Sequence, residues 1–194
     1  NLTIRRCSFV HCGSSGASIS ITCSADVASN FIIDRCIFTK TSSATILFTL
    51  ARSDSADYDS VILVKNCLFL GQGGTSINIT SSGTGSFYGG GVDVLNCTHI
   101  NSGSFFATGV ATLSTSIPCT VYNCYLHTSA TVALSANVSG QILENYNFFI
   151  ATTPRTNVTA GAQSISDGSL LSILDLTRLF VLGTDAQHFL SPTL

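Results

Sequence analysis

Apolar and polar positions recur along this chain in a six-residue pattern. It reads Ile4-Arg5-Arg6-Cys7-Ser8-Phe9, then Ile33-Asp34-Arg35-Cys36-Ile37-Phe38 and Val64-Lys65-Asn66-Cys67-Leu68-Phe69. Val94-Leu95-Asn96-Cys97-Thr98-His99 and Val121-Tyr122-Asn123-Cys124-Tyr125-Leu126 follow, with a looser copy at Leu143-Glu144-Asn145-Tyr146-Asn147-Phe148. From Cys7 to Tyr146 the steps are 29, 31, 30, 27 and 22 residues. A repeat of this length with strand-like composition predicts a stack of similar units, each burying its apolar face on the next.

Parity breaks inside the pattern. Strict alternation would turn positions one, three and five to one face, but the apolar set is one, four and six. The chain must bend at position three, held by Asn66, Asn96, Asn123 and Asn145. Asn enters the left-handed region more readily than other non-glycine residues. A third strand is expected in each repeat, over 17–22, 44–50, 76–80, 105–111 and 130–134, bounded by Gly, Ser, Thr and Asp.

Three strands per turn give the expected fold: all-β, a right-handed parallel β-helix solenoid of about six coils over residues 1–150. A capping or subunit-contact segment follows over 151–194, with a polar loop around Pro154 and an apolar stretch from Leu170 to Leu182. That stretch reads as a closing strand pair, a capping helix, or a segment pairing with a neighbour. At about 4.8 Å per coil the stack would be roughly 29 Å long. Its interior would hold three columns: Ile4, Ile33, Val64, Val94, Val121 and Leu143; then Cys7, Cys36, Cys67, Cys97, Cys124 and Tyr146; then Phe9, Phe38, Phe69, His99, Leu126 and Phe148. Each buried side chain contributes on the order of 1.5–3 kcal/mol before entropy is subtracted.

Composition narrows the function. Only 9% of residues are charged and the formal net charge is −2, without the clustered Lys and Arg of a nucleic-acid footprint. No apolar run reaches the roughly 20 residues of a membrane-spanning helix. The chain begins inside a repeat, so it reads as a piece of a longer polypeptide or as an end whose cap a neighbour supplies. Low charge with an open strand edge predicts head-to-tail self-association.

Five of the eight cysteines share one repeat position. Parallel stacked side chains make poor disulfide geometry, so buried thiols are expected there. Cys12, Cys23 and Cys119 lie off that position, and Cys12 with Cys23 is the pair best placed for a bridge. Asn-x-Ser/Thr sequons stand at Asn1, Asn78, Asn96, Asn137 and Asn157. Asn96 is committed to the bend; Asn1, Asn78, Asn137 and Asn157 are the glycosylation candidates.

The columns, the asparagine bend and the three-strand repeat resemble the pectin-lyase-like β-helix superfamily, over roughly residues 1–150. The segment Cys7–Ala17 is similar to repeat units of β-helix adhesins. Hydrolases of that superfamily carry Asn-Thr-Asp, Asp-Asp and Gly-His-Gly signatures, and this chain has none. Its one glutamate, Glu144, and Asp34 both fall at the outward second position with three repeats between them, too far apart for a glycosidase pair.

Asp54, Asp57 and Asp59 form the one acidic cluster and are the candidate metal ligands; they also suit a solvated turn. His99 replaces a core Phe and reads as a satisfied interior histidine. Tyr122 and Tyr125 point outward and could stack on sugar rings or on a neighbouring subunit.

The expectation is a non-catalytic structural or adhesive β-helix, extracellular or at the cell surface, within a repetitive assembly, without catalytic residues or cofactor. The alternative is a carbohydrate-binding or polysaccharide-cleaving β-helix.

Overall fold

The computed structural model describes residues 1–10, 16–23, 30–39, 44–50, 56–58, 61–71, 73–81, 87–89, 91–101, 103–109, 118–166, 180–182 and 188–190. The first repeat supplies β1 (Leu2–Arg5), β2 (Ser8–Val10) and β3 (Ile19–Cys23). The second supplies β4 (Asn30–Asp34), β5 (Ile37–Thr39), β6 (Ile46–Leu50) and β7 (Ala56–Tyr58). The third supplies β8 (Val61–Lys65), β9 (Leu68–Leu70), β10 (Ile77–Ser81) and β11 (Phe87–Gly89). The fourth holds β12 (Val92–Leu95), β13 (Thr98–Asn101) and β14 (Phe106–Thr108), and the fifth β15 (Cys119–Tyr122) and β16 (Tyr125–Ser135). The sixth holds β17 (Ile142–Asn145) and β18 (Phe148–Thr156); β19 (Ile165–Ser166) pairs with β18 at the next level, and β20 (Phe180–Leu182) and β21 (His188–Leu190) come last.

The protein is all-β, with parallel sheets and no helix among the described residues. The strand before each bend joins a six-stranded parallel sheet ordered β1-β4-β8-β12-β15-β17. The strands after the bend, and the third strands of each repeat, form a larger parallel sheet, in which β16 carries both sets in one run. The third strands β3, β6, β10 and β14 fall where the sequence places them. β7 and β11 add a short parallel pair. β20 and β21 pair antiparallel; most of the apolar stretch 170–182 lies outside the described residues.

In the first five repeats the bend falls at position three. Arg6, Arg35, Asn66, Asn96 and Asn123 have φ between 52° and 55°. There the backbone turns without leaving the ladder: the Asn66 N–H donates to Leu95 O, and the Leu68 N–H donates to Cys36 O. Asn at this position also donates sideways, Asn66 Nδ2 to Asp34 Oδ1 at 2.9 Å and Asn96 Nδ2 to Asn66 Oδ1 at 3.4 Å.

Equivalent residues meet level by level. Ile33, Val64, Val94 and Val121 stand in register and buried. Phe9, Phe38 and Phe69 stack face to face, with centroids 4.8 and 5.0 Å apart and planes within 11°. Two more interior columns were not anticipated. Two residues before position one, Phe31, Ile62, Val92, Cys119 and Ile142 line up, so Cys119 is a core residue and not an outlier. On the third strands Ile19, Ile46, Ile77, Phe106 and Leu134 form another.

The sixth repeat is offset by one residue from the sequence reading. Val121 faces Glu144, Leu126 faces Phe149, and the left-handed residue is Tyr146 (φ 56°) in place of Asn145. Leu143 and Tyr146, expected inside, are 45% and 59% exposed, and Phe148 lies on the outer side beside Tyr125. Hydrophobic matching chose Leu143 for the core because it cannot see the donors that residues 147–164 bring to Glu144.

Asn66→Val should destabilise more than Asn66→Gly, by about 1–2 kcal/mol in urea unfolding, because both lose the Asp34 bond but only Val resists the left-handed backbone. Equal losses would mean the hydrogen bond alone matters there.

Candidate functional site

Among the described residues, buried ionisable side chains with hydrogen-bonded partners stand at Asp34, His99 and Glu144. On the outer face of the six-stranded sheet, Asp34 is 5% exposed. Its carboxylate accepts from Asn66 Nδ2 and lies 3.5 Å from Arg5 Nε and 4.0 Å from Arg35 Nε. Both arginines are more than half exposed, so these surface-facing pairs are worth at most about 1 kcal/mol each.

His99 takes the place of Phe in the aromatic column and is fully buried. Nε2 is 3.1 Å from Gly103 O and must carry the proton, since the carbonyl can only accept. Nδ1 then accepts from the Ser76 hydroxyl at 3.1 Å. The ring tilts against Phe105, 5.3 Å between centroids. Gly103 has to be glycine, because a Cβ there would meet Gly74 O at 2.0 Å. Burial pushes His99 down to about 4, with the Gly103 carbonyl opposing and His127 reinforcing. His127, on the outer side of the neighbouring strand, is also lowered by burial.

The third place is the sixth repeat. Glu144, expected to face outward like Asp34, points inward in the valine column, and its side chain is fully buried. Oε1 accepts from Arg155 Nε at 2.7 Å and the Gly161 N–H at 2.6 Å. Oε2 accepts from Asn147 Nδ2 at 2.8 Å and the Ser164 hydroxyl at 2.5 Å. Burial alone would raise its carboxyl; Ser164, Gly161, Asn147 and Arg155 outweigh it and hold the group below its ordinary value. Asn147 occupies the cysteine column, with Oδ1 accepting from the Cys124 N–H at 2.8 Å and Nδ2 donating to Val121 O at 2.7 Å.

The two carboxylates therefore share no face. Asp34 aligns with Arg5 and Lys65 outside, and Glu144 with Val121 inside. Asn147, Arg155, Gly161 and Ser164 were missed. The available signal was the misfit of the sixth repeat, whose Glu-x-x-Asn fills positions that carry Val-x-x-Cys one repeat earlier.

The cysteine ladder carries free thiols at Cys7, Cys36, Cys67, Cys97 and Cys124, and Cys119 is also free. Each interior sulfur donates weakly to carbonyls of its own or the preceding level, as Cys67 does to Ile33 O and Lys65 O. Hydrogen bonding with Cys67 and then burial push Cys36 far above the usual thiol range. Burial pushes Cys119 up to about 12. Cys12 lies outside the described residues, as does the side chain of Cys23, so their bridge does too.

Of the sequon residues, Asn137 is exposed and Asn78 half-buried on β10. Asn157 is left-handed (φ 54°) and donates its amide to Ala136 O and Asn137 O. Asn1 Oδ1 accepts from the Asn30 N–H. Asp54 and Asp59 lie outside the described residues, as does the side chain of Asp57; among the described residues no cluster of three His, Cys, Asp or Glu is arranged for a metal. Outward Tyr125 stacks on Phe148 at 5.7 Å, and Tyr122 is half-buried.

No helix is long and apolar enough to cross a membrane, among the described residues. No protein-family model, curated protein or solved structure matches the chain.

Thiol labelling of the native protein, mapped by peptide mass, should modify Cys7 at once and leave Cys36, Cys67, Cys97, Cys119 and Cys124 untouched until denaturant is added. Rapid native labelling of Cys67 would contradict the buried ladder.

His99 also sets a pH slope. Its folded value of about 4 lies below the ordinary 6.5. The unfolded chain therefore binds more protons between these values, and stability falls as pH drops from 6.5 toward 4, by up to about 3 kcal/mol. Urea unfolding of His99→Phe should show lower stability at neutral pH, because Ser76 and Gly103 lose their partner, but a shallower slope between pH 5 and 6.5. A slope equal to that of the unsubstituted protein would remove His99 as its source. Glu144 acts in a separate window: its contribution is present above 4.5 and is lost as pH falls through its lower folded value.

Proposed function

We propose that the parallel sheets wind as a right-handed parallel β-helix of about six coils, of the pectin-lyase-like type. On this reading the chain is a non-catalytic structural or adhesive module, extracellular or at the cell surface, within a repetitive assembly. The observation that carries it is how the buried carboxylates and His99 are used. Asp34 is held by Asn66 and two arginines, His99 by Ser76 and Gly103, and Glu144 by four donors. Groups engaged in this way position backbone and neighbours; a general acid or base needs an open side toward substrate.

In-register stacking supports the rest of the reading. Like-on-like columns give a stiff rod with regular faces, and repeats that stack within one chain can stack between chains, head to tail, where a strand edge is open. Glycans at Asn137 and Asn78 would keep a sparsely charged surface soluble. A second reading, carbohydrate binding, is favoured by the outward stack of Tyr125 on Phe148, a surface suited to sugar rings.

Electron microscopy of native source material should show ordered arrays or fibres containing the chain, and the purified protein should release no fragments from acidic polysaccharides. Cleavage that Asp34→Asn abolishes would replace this reading with an enzymatic one. Glycan-array binding lost in Tyr125→Ala would favour the second reading.

A further inference from the structure

Three interior columns change character at the same level. The first runs Ile33, Val64, Val94, Val121 and then Glu144. The second runs through four buried cysteines to Asn147, which bonds to the backbone of Val121 and Cys124. The third runs Ile19, Ile46, Ile77, Phe106, Leu134 and then Arg155. Three apolar positions thus become an acid, an amide and a base, and the three find one another: Glu144 takes Arg155 on one oxygen and Asn147 on the other.

The aromatic column ends in the same network. The Arg155 guanidinium lies 4.2 Å over the ring of Phe149, and its Nη1 donates to Ser166 Oγ at 2.9 Å. The segment from Gly161 to Ser166 closes over this level. Gly161 and Ser164 donate to Glu144, Gln163 exchanges two bonds with Asn145, and Ile165 pairs with Phe148. Gly161 approaches so closely that a Cβ would meet Glu144 O at 2.2 Å.

We propose that Glu144, Asn147 and Arg155, with the strap Gly161–Ser166, form a terminator that closes the sixth coil and keeps the first coil of a second copy from stacking there. The proposal rests on the β-helix reading. An apolar coil offers its neighbour a matching column and an open ladder. This coil offers instead a buried carboxylate that already accepts four hydrogen bonds, and adding a coil would require displacing the strap and stripping Glu144 of its donors, which is costly for a buried charge. Head-to-tail association through this end then depends on the network opening. Among the described residues, Arg155 is the one titratable or charged group facing Glu144 from the elements packed on it.

The test restores the preceding level. Glu144→Val, Asn147→Cys and Arg155→Leu together reproduce the Val121, Cys124 and Leu134 environment, and the triple variant is compared with the unsubstituted chain under reducing conditions. Light scattering should show the variant's mass rising with concentration, with longer rods in electron micrographs, while the unsubstituted chain stays unjoined at its sixth coil. An unchanged mass for a folded variant, or unsubstituted chains already joined through residues 142–166, would overturn the proposal.

If the triple variant does not fold, Glu144→Gln serves with hydrogen exchange as readout. Exchange over 152–166 should quicken about tenfold or more, since a charged bond is lost, while β4, β8 and β12 keep their protection. Unchanged exchange over 152–166 would equally overturn it. These readouts concern only purified chain and one end of the stack, so they can fail while the structural-module reading stands. That reading can fail, through polysaccharide cleavage, while the terminator stands.

Discussion

Parallel stacking in register is the constraint from which the rest follows. Each strand finds its equivalent from the neighbouring repeat beside it, so every backbone group on a shared edge is paired and every side chain meets its counterpart. A flat interior of this kind rewards repetition: Phe on Phe at 4.8 and 5.0 Å, thiol over thiol, valine over valine. It also punishes irregularity, because one misplaced residue faces two wrong neighbours. The left-handed residue at position three is what permits the columns at all, since it turns the chain while its own N–H stays in the ladder.

Polar residues inside such a stack have to bring their partners with them. His99 manages this because Ser76 and Gly103 stand at its two nitrogens, and the aromatic column passes through it with a tilted contact to Phe105 in place of a flat stack. Glu144 does so on a larger scale, drawing donors from four residues, Asn147 next to its own bend, Arg155 on β18, and Gly161 and Ser164 in the strap. The first is a substitution within the stack. The second replaces an apolar level with a buried carboxylate that four donors surround.

The same logic bears on the functional reading. A β-helix that cleaves polysaccharide needs carboxylates standing free on one face. Here Asp34, Glu144 and His99 are drawn into the scaffold, and the outward features beside them include the cations Arg5 and Arg35 and the aromatic pair Tyr125 and Phe148. That distribution suits a surface that is touched better than a site that turns over, and it is why the structural or adhesive reading is preferred.

Much of this was legible in the amino-acid sequence. Cys and Phe recurring about every 30 residues identified the columns, and Asn at position three announced the bend, because side-chain size and left-handed tolerance are properties of single residues. The third strands were legible from alternation and their Gly and Ser borders. Tertiary structure alone decided the sixth repeat. Whether Leu143 or Glu144 faces inward turns on a one-residue register, and hydrophobicity favours the leucine. The choice was reversed by Arg155, Gly161 and Ser164, donors 11 to 20 residues away in sequence, whose convergence on one carboxylate exists only once the chain has folded back over its last level. Cys119 escaped for a related reason: it belongs to a column two residues outside the recurring pattern, and only strand pairing shows that the strand starts at Cys119.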